Sequence, residues 1–237
     1  MMPHLRLILR IALILAWSVC MIPLHLICRL LGKPRLIPPF FLHVVGHIAG
    51  LRVQVRGQPE KNALLLANHV SWLDILALAG AARSAFVAHD GLAGQKLLKW
   101  LCEQNETIFI ARHHRSTLTE QTGAIRQALG KRPLTIFPEG TTSDGTGILP
   151  FKSALLAAID PLKSQTTRVQ PVALLYEEAT DIAWVGEGAT NVRMVLSRRK
   201  SVHLTIHFLP PLEGPDCADR KSMAAAAQRA IAQSLTS

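Results

Sequence analysis

The sequence predicts an α/β domain, a mixed and mostly parallel sheet flanked by helices, behind a membrane-associated two-helix element. Three observations predict it. Beyond residue 52, short apolar or β-branched runs alternate with helical stretches, which is the pattern of an α/β chain. Before residue 52, two uncharged apolar stretches are bounded by cations. At 237 residues one core is the better expectation than two large ones. The expected division is therefore a helical segment over 1–51 and an α/β domain over 52–237.

Composition narrows this further. Apolar residues are 49% and charged residues 18%, which excludes disorder because ample apolar surface is available for burial. Four cysteines (Cys20, Cys28, Cys102, Cys217) form no C-x-x-C pair. They are too sparse for a disulfide scaffold and point to a reducing compartment.

The N-terminal charge is one-sided. Arg6, Arg10, Arg29, Lys33, Arg35, Arg52 and Arg56 all precede the first acidic residue, Glu60. Ile11 to Cys28 is uncharged, and so is Leu36 to Leu51, which contains Pro38-Pro39. The first stretch is at the lower limit for crossing a bilayer, about 17–25 residues, and the second is short for it. A cleaved signal lacks its A-x-A-like site. A spanning helix and a pair embedded in one leaflet both remain. The short second segment and the cations between the two favour embedding, and such cations suit anionic headgroups.

Strands are expected at Val53–Val55, Ala63–Ala67, Ala85–Ala88, Thr107–Ile110, Leu134–Phe137, Val169–Tyr176 and Val202–Leu209. Such runs suit a sheet buried on both faces. Helices are expected at Trp72–Ala82, Leu92–Cys102, Thr117–Leu129, Phe151–Ile159 and Ala218–Ser234, the last with Asp216 as cap. Pro171 in the sixth strand calls for an edge or a bulge.

Chemistry concentrates just past the strands. Asn68-His69-Val70-Ser71-Trp72-Leu73-Asp74 follows the second strand, where α/β sheets gather ligands. His69 and Asp74 are five apart, so they meet only if His69 sits in the entry turn and Asp74 in the first helical turn. A carboxylate on one imidazole nitrogen fixes the tautomer and stabilises the imidazolium. The blander reading is a strand end and a helix cap. Phe137-Pro138-Glu139-Gly140-Thr141-Thr142-Ser143 follows another strand. Its glycine, amides and hydroxyls could cradle an anion, with Glu139 orienting a Thr, an Arg or a substrate hydroxyl. Arg112, past Ile108–Ile110, carries the fork that suits a phosphate.

In order and context these segments resemble the 1-acyl-sn-glycerol-3-phosphate acyltransferase family (lysophosphatidic acid acyltransferases, of the glycerolipid acyltransferase superfamily). The resemblance rests on N-H-x-S-x-x-D at 68–74, I-x-R at 110–112, F-P-E-G-T-T-S at 137–143 and V-x-P-V-A at 169–173. It implies a glycerol-3-phosphate acyltransferase-like fold. It implies transfer of a fatty acyl group from acyl-CoA or acyl-carrier protein to the hydroxyl of 1-acyl-glycerol-3-phosphate, giving phosphatidic acid in phospholipid biosynthesis. His69 would be the general base and Asp74 its partner. Arg112 with Glu139, Gly140, Thr141 and Thr142 would bind the acceptor. Neither a metal nor a cofactor beyond the acyl donor is expected. The expected location is the inner (cytoplasmic) membrane, with the site on the cytoplasmic side. One departure bears on the acceptor. Near Ala88, where family members often carry a Lys, this chain has His89-Asp90. Superfamily relatives acylate lyso-ornithine lipids or other lysolipids.

The charge of +10 suits three anionic partners: membrane lipids, the phosphates of acyl-CoA and an acidic carrier protein. Nucleic acid does not fit, because aromatics are only 5% and do not interleave with the cations. His43 and His47 have i, i+4 spacing but no third metal ligand nearby. His113-His114 read as a basic loop, and Lys96, Lys99, Arg198, Arg199 and Lys200 as solvated charge. Two competing classes remain. A non-enzymatic membrane lipid-binding protein has no need of the His–Asp pair, and a thioesterase has no need of a phosphate site.

Overall fold

A computed structural model describes residues 2–89, 96–110, 123, 125, 127–129, 131–157 and 168–236. Arg112, His113, His114 and Arg115 lie outside the described residues, as does most of the expected helix Thr117–Leu129. Seven strands form one sheet: β1 (Leu51–Arg56), β2 (Leu64–Ala67), β3 (Ala85–His89), β4 (Ile108–Ile110), β5 (Leu134–Ile136), β6 (Val169–Tyr176) and β7 (Val202–Phe208). Their spatial order is β1-β7-β6-β2-β5-β3-β4. From β6 to β4 the strands run parallel; β7 is antiparallel to β6, and β1 is parallel to β7. The sheet is thus mixed and mostly parallel. The C-terminal ends of β2, β5 and β6 therefore lie side by side at one margin.

Strand alternation builds a core on each face. Leu65, Ala67, Val172 and Leu174 point into a cluster that also takes Leu73, Leu78 and Val195. Leu64, Leu66 and Ala173 point into the opposite cluster with Ile125, Met223 and Ile231. The first face is covered by α2 (Ile37–Ala49), α3 (Leu73–Ala82) and α5 (Gly188–Ser197), the second by α6 (Arg220–Thr236). A further helix, α4 (Lys96–Gln104), precedes β4.

The long helix α1 (Pro3–Leu30) is apolar enough over an 18-residue window to enter a membrane, with a mean hydropathy of 2.3 there. Only a narrow stripe of it faces the domain. Leu7, Ile14 and Trp17 pack against the first core cluster, and Trp17 meets Phe40 edge-on at 5.6 Å. Leu5, Ile8, Leu15, Val19, Ile27 and Leu30 on other faces are exposed. The N-terminal cations, without acidic partners in the first quarter of the sequence, find other partners in the fold. Arg6 donates to the Ser197 carbonyl (3.1 Å), and Arg10 to the carbonyls of Val195 and Leu196 (3.2 and 3.1 Å). Both thus sit at the negative end of the α5 dipole. At the other end of α1, Arg29 and His25 share the Gln104 side-chain oxygen, and Arg35 pairs with Glu106 at 2.7 Å. These four cations are engaged with protein, not held out for lipid headgroups.

Several expected elements differ. Phe151–Ile159 is not a helix where it is described. The Lys152 amide is tied to the Pro138 carbonyl (2.8 Å), and one 3-10 turn, Ser153–Leu156, follows. The last helix begins at Arg220, capped by the Asp219 carboxylate on the amides of Lys221 and Ser222. Asp216 instead lies in the preceding turn and pairs with Arg229. Pro171 sits in an interior strand and not at an edge. Its missing N–H does no harm there, because the ladder with β7 starts at Val172.

Candidate active site

The turn after β2 places His69, and α3 places Asp74 in its first turn. The His69 Nδ1 to Asp74 Oδ2 distance is 2.7 Å. The same Oδ2 accepts the amides of Val70 (2.8 Å) and Ser71 (2.9 Å). Asp74 is fully buried, so its charge depends on these donors, and the positive end of α3 adds to them. Oδ1 accepts the Tyr176 hydroxyl at 2.5 Å. Burial, and then the Asp74 charge, pushes the Tyr176 phenol well above its usual range, so it stays a donor. The imidazole stacks on Phe137, with centroids 4.0 Å apart and planes within 15°. Its side chain is 15% exposed, and Nε2 makes no hydrogen bond to the described residues. The arrangement therefore offers one oriented imidazole nitrogen to an incoming group.

The loop after β5 serves the same turn. Glu139 is fully buried, and its Oε1 accepts the His69 amide at 3.0 Å. The Ser143 amide donates to the His69 carbonyl at 2.7 Å. The Glu139 carboxylate therefore holds the backbone of His69. Its Oε2 has no hydrogen-bond partner among the described residues. Burial, reinforced by the Asp74 charge and opposed by the His69 amide, pushes its pKa up to about 7. Thr142 gives its hydroxyl to the Trp184 carbonyl at 2.5 Å, while Thr141 is exposed. The Gly140 amide is taken by the Phe137 carbonyl (3.1 Å), which removes it as a donor to an oxyanion. Gly140 has φ +70°, and a Cβ there would meet Leu155 at 3.1 Å and the Lys152 ammonium at 3.5 Å. Asn68 clamps β2 to β6 through both Leu174 backbone groups, at 3.1 and 2.8 Å.

Of the site residues expected from sequence, His69, Asp74 and the Glu139–Thr142 loop are brought together. Arg112 lies outside the described residues. Sequence reasoning missed Tyr176 and Lys152. Tyr176 is the chain's only tyrosine and ends the strand bearing V-x-P-V-A. Lys152 is a lone cation close behind the F-P-E-G segment. Among the described residues, Glu177, Glu178 and His203 form a trio able to approach a metal, but Glu178 already binds the backbone and Nδ1 of His203.

A parallel-stranded α/β fold with a His–carboxylate pair at the strand ends defines a class of enzymes that deprotonate or protonate a bound substrate. Comparison with known proteins sharpens this. The Acyltransferase family model matches residues 52–175. The chain belongs to this family and is an acyltransferase. A lyso-ornithine lipid O-acyltransferase from Rhodobacter capsulatus is 33% identical, over 88% of this chain and 82% of that one. A 1-acyl-sn-glycerol-3-phosphate acyltransferase from Neisseria gonorrhoeae is 36% identical over 53% of this chain and 49% of its own. The crystal structure of the 1-acyl-sn-glycerophosphate acyltransferase from Thermotoga maritima shares the fold, with a TM-score of 0.71 at 18% identity, covering 99% of this chain and 97% of that one.

Proposed function

We propose that the chain moves a fatty acyl group from a thioester, acyl-CoA or acyl-carrier protein, to the free hydroxyl of a lysolipid. His69 Nε2 takes the hydroxyl proton as the oxygen attacks the thioester carbonyl. The C–S bond then breaks, the ester forms, and the proton passes from Nε2 to the leaving sulfur. Asp74 holds Nδ1–H and balances the transient imidazolium. Base catalysis of this kind supplies roughly 10²–10⁴-fold, and positioning supplies the rest. The observation that carries the reading is the 2.7 Å contact of Nδ1 with a buried carboxylate, beside an Nε2 that no described residue engages.

With 1-acyl-glycerol-3-phosphate as acceptor, the product is phosphatidic acid, and Lys152 beside the Gly140 loop is a cation placed for the phosphate. A second acceptor, a lyso-ornithine lipid, is favoured by the relative of that name, which this chain matches over 82% of its length. Residues 1–51 form the membrane-associated segment and 52–237 the catalytic domain. Helix α1, about 42 Å long at 1.5 Å per residue, is tied to the domain near both ends. That favours embedding its outer face in one leaflet over crossing the bilayer. The test is transfer of labelled acyl groups to a panel of lysolipids by the wild type and His69→Ala. Loss of turnover in a folded His69→Ala protein is expected; turnover near the wild-type rate would sink the mechanism.

A further inference from the structure

A third segment holds the turn that carries His69, besides α3 and the loop after β5. The chain leaving β6 makes one helical turn, Ala179–Ile182, and then reaches Trp184. The Trp184 N–H donates to the Val70 carbonyl at 2.9 Å. The Trp184 carbonyl accepts the Thr142 hydroxyl at 2.5 Å. One residue thus joins the turn after β2 to the loop after β5 through its own backbone. With this bond every peptide group from His69 to Ser71 has a partner. Glu139 and Ser143 take the N–H and C=O of His69, and Asp74 takes the amides of Val70 and Ser71. Trp184 takes the Val70 carbonyl, and the Asp74 amide takes that of Ser71.

Trp184 is itself braced from behind. The buried Asn191 amide donates to the carbonyls of Ala183 (2.8 Å) and Ile182 (3.4 Å). The indole lies against Gly188, the first residue of α5, where a Cβ would come within 2.7 Å of the ring. The loop after β5 also presses on this segment at Gly145, which has φ +83°; a Cβ there would lie 2.5 Å from the Ala179 backbone. The place of Trp184 is therefore set by its own packing, and the His69 turn is hung from it. The motif alone would give Thr142 to the acceptor. Its single O–H is spent on the Trp184 carbonyl. The lone pairs that remain offer nothing to an ionised phosphate, which is itself only an acceptor.

We propose that Thr142 is a positioning residue, not an acceptor ligand: through the Trp184 backbone it fixes the Val70 carbonyl, and with it the turn that aims the His69 imidazole. The inference rests on the acyl-transfer reading and adds the residues that keep its base in place. Without the hydroxyl, the tie between the two loops is lost at Trp184, and the turn is free to shift against the loop after β5. A reacting group displaced by about 1 Å can cost on the order of 10²-fold in rate.

The test measures kcat and both KM values for full-length Thr142→Val, Thr142→Ser and Gly188→Ala, at a temperature where circular dichroism shows each variant folded. Thr142→Val keeps the shape and removes the O–H. It should lower kcat about tenfold and leave the KM of donor and acceptor within about threefold. Thr142→Ser restores the O–H and should bring kcat back to within about threefold of wild type. Gly188→Ala touches neither motif but pushes on the Trp184 ring, and it should repeat the fall in kcat at constant KM. A substitution that only weakened folding would lower the unfolding midpoint and leave the kcat of folded protein intact. A wild-type kcat in folded Thr142→Val, a rise in acceptor KM at unchanged kcat, or a serine variant as slow as the valine one overturns the proposal. If Thr142→Val does not fold, Gly188→Ala decides: a lowered kcat at constant KM supports the proposal, and a wild-type kcat overturns it. His69→Ala, run in parallel, separates the two levels. Turnover by that variant strikes the acyl-transfer reading itself, whereas a dead His69→Ala beside an indifferent Thr142→Val strikes only the role of Thr142.

Discussion

The Asp74 carboxylate can be neutralised with little change in shape, which makes Asp74→Asn an informative perturbation. Oδ2 faces three donors, His69 Nδ1 and the amides of Val70 and Ser71, while Oδ1 faces one hydroxyl. An asparagine amide nitrogen placed among three donors would be repelled. The side chain is therefore forced to keep its oxygen there and turn its nitrogen to Tyr176, whose hydroxyl can accept. The turn and the His69 tautomer survive, and only the charge is lost. A unit charge about 4 Å from the imidazolium centre is worth roughly 4 kcal/mol at an effective dielectric near 20. At 1.36 kcal/mol per decade that is about a 10³-fold fall in kcat. Labelled acyl transfer under saturating donor and acceptor measures it, with thermal unfolding run on the same sample. The fall should appear in kcat and leave both KM values within about threefold. A folded Asp74→Asn protein working within tenfold of wild type would refute the electrostatic role of the dyad.

Other perturbations probe separate parts. Tyr176→Phe removes one hydrogen bond to the Asp74 carboxylate and should lower kcat about tenfold without changing either KM; a wild-type kcat would remove its positioning role. Glu139 has a pKa raised from 4.5 to about 7, so between those values the unfolded chain releases a proton that the folded one keeps. Wild-type stability relative to Glu139→Gln should accordingly fall as pH rises from about 4.5 to 7, by up to about 3 kcal/mol, and level off above. Chemical denaturation across that range that finds a constant difference would contradict this. Leu15→Asp with Val19→Asp changes two α1 positions that are 60% and 73% exposed. It should cut partition into lipid vesicles at least ~100-fold and leave the unfolding midpoint in place. Undiminished pelleting with vesicles would exclude this face as the anchor.

Much of the arrangement was legible because its signals are local. Val169–Tyr176 is a strand interrupted only by the polar Gln170, and its ends agree with the structure. His69 and Asp74 could be paired from sequence because a strand-to-helix turn is the local geometry that joins residues five apart. What was not legible depends on strands distant in sequence becoming neighbours. Tyr176 reaches Asp74 across 102 positions because β6 lies beside β2. Arg6 and Arg10 read as lipid-facing cations because nothing near them in sequence balances them; their partners are carbonyls more than 180 residues away.

The role of Glu139 follows from the order of the strands. β2 and β5 are parallel neighbours in register, Leu66 opposite Ile136, so the segments leaving them travel together. The β5 loop holds the His69 peptide from both sides, the Glu139 carboxylate on its N–H and the Ser143 amide on its C=O. The ring is fixed separately, by Asp74 on Nδ1 and by Phe137 against its face. Backbone and side chain of one residue are thus gripped from two elements, the loop after β5 and α3, so the imidazole has little freedom to turn away from Asp74. It follows that a substitution at Glu139 will behave kinetically like a loss of the base, lowering kcat at constant KM, although the carboxylate is sealed from substrate. The effect should shrink when glutamine keeps the acceptor oxygen on the His69 amide, and grow with alanine. The order Glu > Gln > Ala in kcat separates a backbone clamp from a phosphate ligand, for which Gln would gain by removing a repelling charge.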